Sequence, residues 1–448
     1  MFQTFINAWK IADLRKKMLF TALIVLLFRI GSAIPVPFID LAGFENGSLL
    51  TNTGSATFLD YINMISGNAF TYGTIFAMSI TPYINSSIII QLLTVAIPAL
   101  ERLSKEGEEG RKKIAAITRY TTVGLAVLQS TAYYFYVRSQ GALTGDANGN
   151  ALTGFGMVFQ ALTIIVILVA GSSLIMWMGE QINDKGIGNG ISIILFAGIV
   201  ARIPAIITQL YGQFDQGGAY IPMVIIAAIS LLLMVVFIVW MDNAERRIPV
   251  QYAKRVVGRK MYGGQSSHIP IKVNMSGVLP VIFASSILSL PSTIEMFVTV
   301  EKGSGWDKFF SVFKPEHWAY SIIYFVLIIF FAYFYSSIQY NPIEMANNLV
   351  KNGGIIPGIR SGRPTSDYIA QVLSKITLLG ALLLSVVALY PILYSQITTA
   401  IAKALGHSQG VSISLGGTSI IILVGVALET VQQLESQMMM RHYKGFLD

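Results

Sequence analysis

Residues 219–241 read AYIPMVIIAAISLLLMVVFIVWM, and Asp242-Asn243-Ala244-Glu245-Arg246-Arg247 follow directly. An uncharged, almost wholly apolar stretch of this length exceeds the ~20 residues a helix needs to cross a bilayer, and it ends abruptly at a pair of arginines. Working outward, nine further runs of the same kind appear, roughly at 18–36, 72–98, 114–137, 155–179, 190–211, 273–299, 318–340, 369–395 and 411–434. A helix satisfies its own backbone hydrogen bonds, so it is the natural way for such runs to cross lipid. The chain therefore reads as an all-α polytopic membrane protein with ten transmembrane helices. The first run is not expected to be a cleaved signal peptide: it is too long, ends in Ile34-Pro35-Val36-Pro37 and lacks a small-residue cleavage site.

Composition agrees and narrows the function. Of 448 residues, 54% are hydrophobic and 12% charged, against roughly 25% charged in soluble chains. No cysteine is present, and His268, His317, His407 and His442 are scattered. Thiolate metal sites, cysteine nucleophiles and HExxH-type sites are thus excluded. Neither a GxxxxGK[ST] loop nor a GxSxG elbow occurs. These absences argue against an enzyme and imply no cofactor.

The net charge of +8 is distributed unevenly. Of 31 Lys and Arg residues, 24 fall in the tails and alternate loops that share a side with the termini, six fall on the opposite side, and Arg29 lies within the first run. Positive loops stay in the cytoplasm, so both termini are expected there. An even number of spans with both ends on one side permits two pseudo-symmetric five-helix halves of opposite topology, residues 1–212 and 213–448.

Several segments are more than simple spans. In residues 57–70, Phe58, Tyr61, Ile62 and Ile65 recur at helical spacing, with Asp60, Asn63 and Ser66 facing elsewhere. This helix is too short to span and either lies on the outer surface or re-enters the protein. The first seventeen residues also alternate, Phe2, Phe5, Ile6 and Trp9 against Lys10, Arg15, Lys16 and Lys17, as an interfacial helix would. Pro82 stands inside the second run and is expected to kink it, beside Asn85, Ser86, Ser87 and Gln91 suited to helix–helix contact. Gly186-Ile187-Gly188-Asn189-Gly190 reads as a tight hairpin between the fourth and fifth runs. Two large cytoplasmic loops, about 242–272 and 341–368, carry basic residues, which orientation alone explains or an acidic or phosphate-bearing partner would exploit.

The same segments carry a family resemblance. Phe28-Arg29-Ile30-Gly31-Ser32, the run from Thr81 to Leu93, Gly110-Arg111-Lys112-Lys113, Gly179-Glu180-Gln181-Ile182 and Gly186 through Ser192 all resemble the SecY family of protein-conducting channels. So do Tyr252-Ala253-Lys254-Arg255, Lys272-Val273-Asn274-Met275, Pro280 through Ser286, Asn341-Pro342, Pro357-Gly358-Ile359-Arg360 and Gly416-Gly417-Thr418-Ser419. Any one is weak; their ordered set is specific.

The resemblance implies a protein-conducting channel in the bacterial cytoplasmic membrane. It would pass unfolded secretory polypeptides across and release membrane-protein helices sideways into the lipid bilayer. Ile80, Ile84, Ile191, Leu195, Ile282 and Ile422 would form an aliphatic pore ring; a narrow apolar constriction dewets and blocks ions. The 57–70 segment, with Gly67 and Asn68 at its end, would be a re-entrant plug. Asn85, Gln129 and Ser285 would line a lateral gate that receives signal sequences and nascent polypeptides. Lys254, Arg255, Arg259, Lys260 and Arg360 would dock the SecA ATPase or a translating ribosome, and SecE and SecG subunits would complete the complex. Three positions depart from the family's commonest pattern: Ser79 where a glycine often precedes the Ile-x-Pro-Tyr run, Asn68 in place of the plug's second glycine, and Leu195 in place of isoleucine. The rival reading, a secondary transporter for a small solute or ion, calls for ionisable groups at mid-membrane. Only Arg29 lies clearly inside a span, with Glu180 and Glu429 near span ends.

Overall fold

The computed structural model describes residues 2–40, 63, 66–144, 154–215, 217–218, 220–252, 255–257, 260–262, 266–297, 304–314, 317–404, 411 and 416–444. The expected helix over 57–70 falls outside these up to its last residues, so Phe58, Tyr61, Ile62 and Ile65 lie outside the described residues, as do Lys254 and Arg259. The chain divides into two compact units, Met1–Gly218 with Ser292–Lys302 and Val426–Asp448, and Ala219–Pro291 with Gly303–Gly425.

In the first unit, α1 (Phe2–Lys10) leads into α2 (Ala12–Gly31). Then come α3 (Thr81–Ala96), α4 (Pro98–Lys105), α5 (Glu108–Ser139), α6 (Phe155–Lys185), α7 (Gly190–Val200) and α8 (Ile203–Asp215). The second unit holds α9 (Tyr220–Asn243), most of α10 (Leu279–Phe297), α11 (Gly305–Val312), α12 (Trp318–Gln339), α13 (Pro342–Lys351) and α14 (Arg363–Ala404). The last helix, α15 (Gly417–Lys444), belongs to the second unit through Gly425 and to the first from Val426.

Among the described residues, six helical segments are long and apolar enough to cross a membrane by length and composition, and α3 with α4 adds a seventh as one broken span. The other three of the ten runs correspond to α2, α5 and α10. Helix α2 carries Arg15, Lys16, Lys17 and Arg29, α5 intersperses Thr, Tyr, Ser and Gln among its apolar residues, and the apolar stretch of α10 runs only over Leu279–Leu288.

The second run differs most from its expectation. Residues 66–80 form successive turns, and the helix begins only at Thr81, with Pro82 in its first turn. Pro82 therefore does not kink a helix; at this position its missing N–H costs nothing and its fixed φ suits the helix start. The bend lies instead at Ile97-Pro98, where α3 and α4 meet at 101°. Ala69, Phe70, Phe76, Ala77 and Met78 of the turn segment are buried. Its backbone is threaded between helices: the Tyr133 hydroxyl of α5 donates to the Phe70 carbonyl at 2.8 Å, and Phe76 stacks on Phe28 of α2 at 5.8 Å between ring centroids. A Cβ on Gly171 of α6 would stand 2.3 Å from the Ile75 carbonyl oxygen. Non-helical backbone at membrane depth is tolerated only where protein buries it or it lines a water-filled cavity, and here protein buries it.

At the opposite end of this unit, α1 packs through Ala8, with Leu14 of α2, against Ile187 and Leu434, while Thr4 donates to Glu435 at 3.0 Å. Phe5, Ile6 and Trp9 remain exposed, as an interfacial helix requires.

The second unit contains strands that the all-helical reading did not include. In the loop after α9, β1 (Glu245–Tyr252) pairs antiparallel with β4 (Ser266–Lys272), and β2 (Arg255–Val257) pairs with β3 (Lys260–Tyr262) beyond them. The other loop contributes β5 (Gly354–Ile355), which joins β1 with Gln251 opposite Ile355. One face of β1 is buried through Ile248 and Val250, which pack with Ile271, Ala346, Leu349, Ile356, Ile369 and Leu373. The two loops are therefore one small domain with its own core, built over α13 and the start of α14.

Candidate functional site

In the first unit, the chain enters α3 through a strained residue. Ser79 has φ +49, in the left-handed region, and is fully buried with its hydroxyl lacking a hydrogen-bond partner among the described residues. Ile80 follows as the N-cap of α3, and its carbonyl accepts the N–H groups of Tyr83 and Ile84 at 3.1 Å each. Four residues apart, Ile80 and Ile84 share a face. Holding serine left-handed costs roughly 1–2 kcal/mol, and glycine gives back roughly 0.5–1 kcal/mol in chain entropy. With the orphaned hydroxyl also removed, Ser79→Gly is expected to raise stability by about 1 kcal/mol, read as a higher melting temperature in detergent.

Ile191 and Leu195 lie one turn apart on α7, again on one face. The helix is capped by Asn189, whose side chain accepts the Ile191 N–H at 3.2 Å, while Asn183 of α6 accepts the Gly190 N–H at 2.7 Å. Gly186 through Asn189 make the expected tight connection, with Gly188 at φ +81. Helices α6 and α7 cross so closely that a Cβ on Gly190 would meet the Gly179 carbonyl oxygen at 1.9 Å.

Gly67 and Asn68, the described end of the expected plug, have φ +64 and +73. Asparagine tolerates this conformation better than other side-chain-bearing residues, which accounts for its standing in place of glycine. Asn63 ties the bend: its carbonyl accepts the Asn68 N–H at 3.0 Å. Its side chain donates to Asn68 Oδ1 at 3.3 Å and accepts the Thr71 N–H at 3.2 Å. A Cβ on Gly67 would stand 2.9 Å from both Arg29 Nη1 and the Gly198 carbonyl oxygen. Arg29 therefore sits in the last turn of α2 and close to the last turn of α7, where exposed carbonyls favour a cation. Its Nη1 is buried with no hydrogen-bond partner among the described residues.

Asn85 and Gln129 are both half-buried, on α3 and α5. Between them in role is Ser86, which donates to the Thr118 carbonyl at 2.8 Å and also bonds Thr121, joining α3 to α5. Ser87 and Gln91 do not make that contact; with Tyr83, Thr94, Arg111 and Thr118 they line a cavity of about 320 Å³. Arg119 of α5 pairs with Glu180 of α6 at 2.7 Å, a pairing across 61 residues that no local pattern announced.

In the second unit, Ile282 is buried and Ser285 half-buried on α10, and the Ser285 hydroxyl donates to the Ile282 carbonyl at 2.9 Å. Ile422 is buried on α15, whose start is set by Gly417, where a Cβ would lie 2.2 Å from the Val387 carbonyl oxygen of α14. The described basic candidates fall on two separate pieces of the second unit, a two-stranded ladder and the loop beside the three-stranded sheet. Arg255 and Lys260 lie in the β2–β3 pair. Arg360 is exposed, four residues beyond the buried Ile356, and its carbonyl accepts the Thr365 hydroxyl at 2.8 Å. A flexible loop would offer no fixed charge; this one is anchored through Ile356 and Ile359 in the sheet's core.

No group of three or more His, Asp or Glu able to hold a metal occurs among the described residues. The family model for SecY matches residues 74–431. The protein translocase subunit SecY of Streptomyces scabiei is 46% identical, and that of Mycobacterium tuberculosis strain H37Rv 44% identical, each alignment covering all of both chains. Among solved structures, a protein-conducting channel superposes with a TM-score of 0.62 at 17% identity, covering 94% of this chain and 92% of that one. The Sec61 channel of a canine ribosome–channel complex from the endoplasmic reticulum gives 0.59 at 14% identity over 94% and 92%.

Proposed function

The chain belongs to the SecY family, and from that premise we propose that it passes unfolded secretory polypeptides across the bacterial cytoplasmic membrane and releases membrane-protein helices laterally into the bilayer. It is a multi-pass membrane channel subunit and not an enzyme. The observation that carries the reading is the full-length relationship to protein translocase subunits.

The aliphatic residues Ile80, Ile84, Ile191, Leu195, Ile282 and Ile422 serve as the constriction. Their side chains offer no hydrogen bonds, so a polypeptide of any sequence slides past, while an empty apolar constriction sheds water and stops ions. The segment ending at Gly67 and Asn68 acts as the plug. Asn85, Gln129 and Ser285 belong to the lateral gate, where polar groups keep the gate from sealing as tightly as an all-apolar helix contact. The halves correspond to residues 1–212 and 213–448, with both termini in the cytoplasm.

Energy comes from outside the chain, which carries no nucleotide motif. Arg360, on its anchored loop, together with Lys254, Arg255, Arg259 and Lys260, receives the SecA ATPase or a ribosome. SecE and SecG complete the complex. The structural relatives include an Ssh1 complex of yeast bound to the 80S ribosome, which supports the ribosome as a partner. Reversing one rigidly held charge removes an attraction and adds a repulsion, so Arg360→Glu is expected to weaken SecA or ribosome binding at least ~10-fold at low salt and less at high salt. Binding titrations at two ionic strengths check this.

The reading is tested by reconstituting the protein with SecE and SecG in vesicles and adding SecA, ATP and a secretory precursor. Protease-protected precursor inside the vesicles, dependent on ATP and on the signal sequence, is the expected result. Vesicles that take up no precursor but accumulate a small solute would replace the channel by the transporter.

A further inference from the structure

The stretch Lys272-Val273-Asn274-Met275 joins the three-stranded sheet to α10. It is the exit of β4, which belongs to the three-stranded sheet whose β1 carries Arg246 and Arg247, and only Ser276, Gly277 and Val278 separate it from α10, which carries Ile282 and Ser285. At this elbow the chain is held from two sides. The Val273 N–H donates to the Ala244 carbonyl at 2.8 Å, and the Asn274 side-chain amide donates to Asp242 Oδ1 at 2.7 Å. On the other side the Val273 carbonyl oxygen lies against α14 so closely that a Cβ on Gly380 would stand 2.3 Å from it.

Asp242 is the penultimate residue of α9, and its carboxylate is only partly exposed. A carboxylate withdrawn from water needs partners, and a hydrogen bond to a charged group is stronger and more directional than a neutral one. The β1 strand leaves α9 just after Asp242 and β4 returns to Asn274, so the pair closes the root of the hairpin. Residue 245 faces residue 272 in the strand register, which brings the two ends together within the same ladder. The root is thus held to α9 and to α14, with only four residues between Asn274 and the start of α10.

We propose that Asp242 and Asn274 are a positioning pair that couples docking on the loops of the three-stranded sheet to movement of α10. The inference rests on the channel reading above. A partner that shifts the sheet moves β4; the bond at the root turns that shift into a displacement of α10 instead of letting the hairpin swing freely. Breaking the pair leaves the docking face intact, because the sheet's own core of Ile248, Val250, Ile271 and Ile369 is untouched.

The test uses the complete SecE- and SecG-containing complex in vesicles. Asn274→Asp places two carboxylates where one hydrogen bond stood. It is expected to lower SecA-driven precursor translocation roughly 10-fold or more, while SecA affinity stays within about two-fold. The exchanged double variant, Asp242→Asn with Asn274→Asp, restores one amide and one carboxylate and is expected to recover most of the rate. Asn274→Ala removes the bond without adding charge and is expected to show the same split, more mildly; it stands in if Asn274→Asp does not assemble. Wild-type rates in Asn274→Asp and Asn274→Ala, a parallel loss of SecA affinity, or no recovery in the exchanged variant would each overturn the coupling role. Translocation by the wild-type complex is measured in the same experiment, so failure of the channel reading itself is seen separately.

Discussion

Gly190→Ala is expected to abolish most folded protein, although it adds a single methyl group. The new Cβ would sit 1.9 Å from the Gly179 carbonyl oxygen and 2.8 Å from its carbonyl carbon, and 2.9 Å from Ile182 Cβ. Two of these atoms are backbone and the third is the stiff branch point of an isoleucine, so no flexible side-chain end can yield. Overpacking of a tight contact costs roughly 1–3 kcal/mol, more when backbone must move. That is a large part of the roughly 5–15 kcal/mol that holds a typical domain together. The separation of α6 and α7 would have to increase, displacing Ile191 and Leu195. Gly179→Ala provides the control on the facing helix. Its Cβ would meet the Ile191 side chain at 3.4 Å, an ordinary contact, and it is expected to fold normally. Yield of monodisperse protein and melting temperature of the two variants, side by side, check the contrast.

Gly67→Ala is expected to leave the helices folded and to make the resting channel leak. At φ +64 an alanine is strained by roughly 1–3 kcal/mol. Its Cβ also presses at 2.9 Å on the Gly198 carbonyl oxygen and on Arg29 Nη1. If a displaced segment relieves that strain, the displaced population rises about 5- to 150-fold. Ion flux through reconstituted vesicles without precursor measures it directly. Arg29→Ala combined with Gly67→Ala removes one of the two obstructions and is expected to lower the leak without eliminating it, because the backbone oxygen and the backbone strain remain. A Gly67→Ala channel as tight as wild type would show that this bend is not part of the closure.

Much of the fold was legible because lipid imposes a simple rule. The run at 219–241 had to be a helix, and α9 (Tyr220–Asn243) follows it closely. The second run shows where that rule fails. Residues 73–80 are mostly apolar because protein buries most of them, not because they form a spanning helix, and hydropathy does not distinguish the two. Positive φ at Asn68 and Ser79 was equally invisible, though both were conspicuous as departures from a family pattern that prefers glycine there. The sheet was missed for another reason. In β1 only Ile248 and Val250 face a core, with Pro249 between them and arginines before them, so a two-residue alternation reads as a basic loop. Its partner strand β5 lies about a hundred residues away.

The site was legible in parts. Asn189 as a cap and the tight turn around Gly188 follow from local residue chemistry. The Arg119–Glu180 and Asp242–Asn274 pairs do not, because each joins residues far apart in sequence, 61 and 32 positions respectively. For the second pair the only signal was the motif Lys272-Val273-Asn274-Met275, to which no chemistry had been attached.

The central claim is that a polypeptide moves past the aliphatic residues, and the absence of cysteine from the chain makes a direct measurement possible. A single cysteine at Ile191 is tested for crosslinking to an arrested secretory precursor, in vesicles containing SecE, SecG, SecA and ATP. Leu232→Cys, on the exposed apolar face of α9, serves as the lipid-facing control. The account predicts a crosslink at position 191, dependent on the signal sequence, and none at position 232. No crosslink at position 191, in vesicles holding folded protein and active SecA, would contradict the channel and favour a transporter of small solutes.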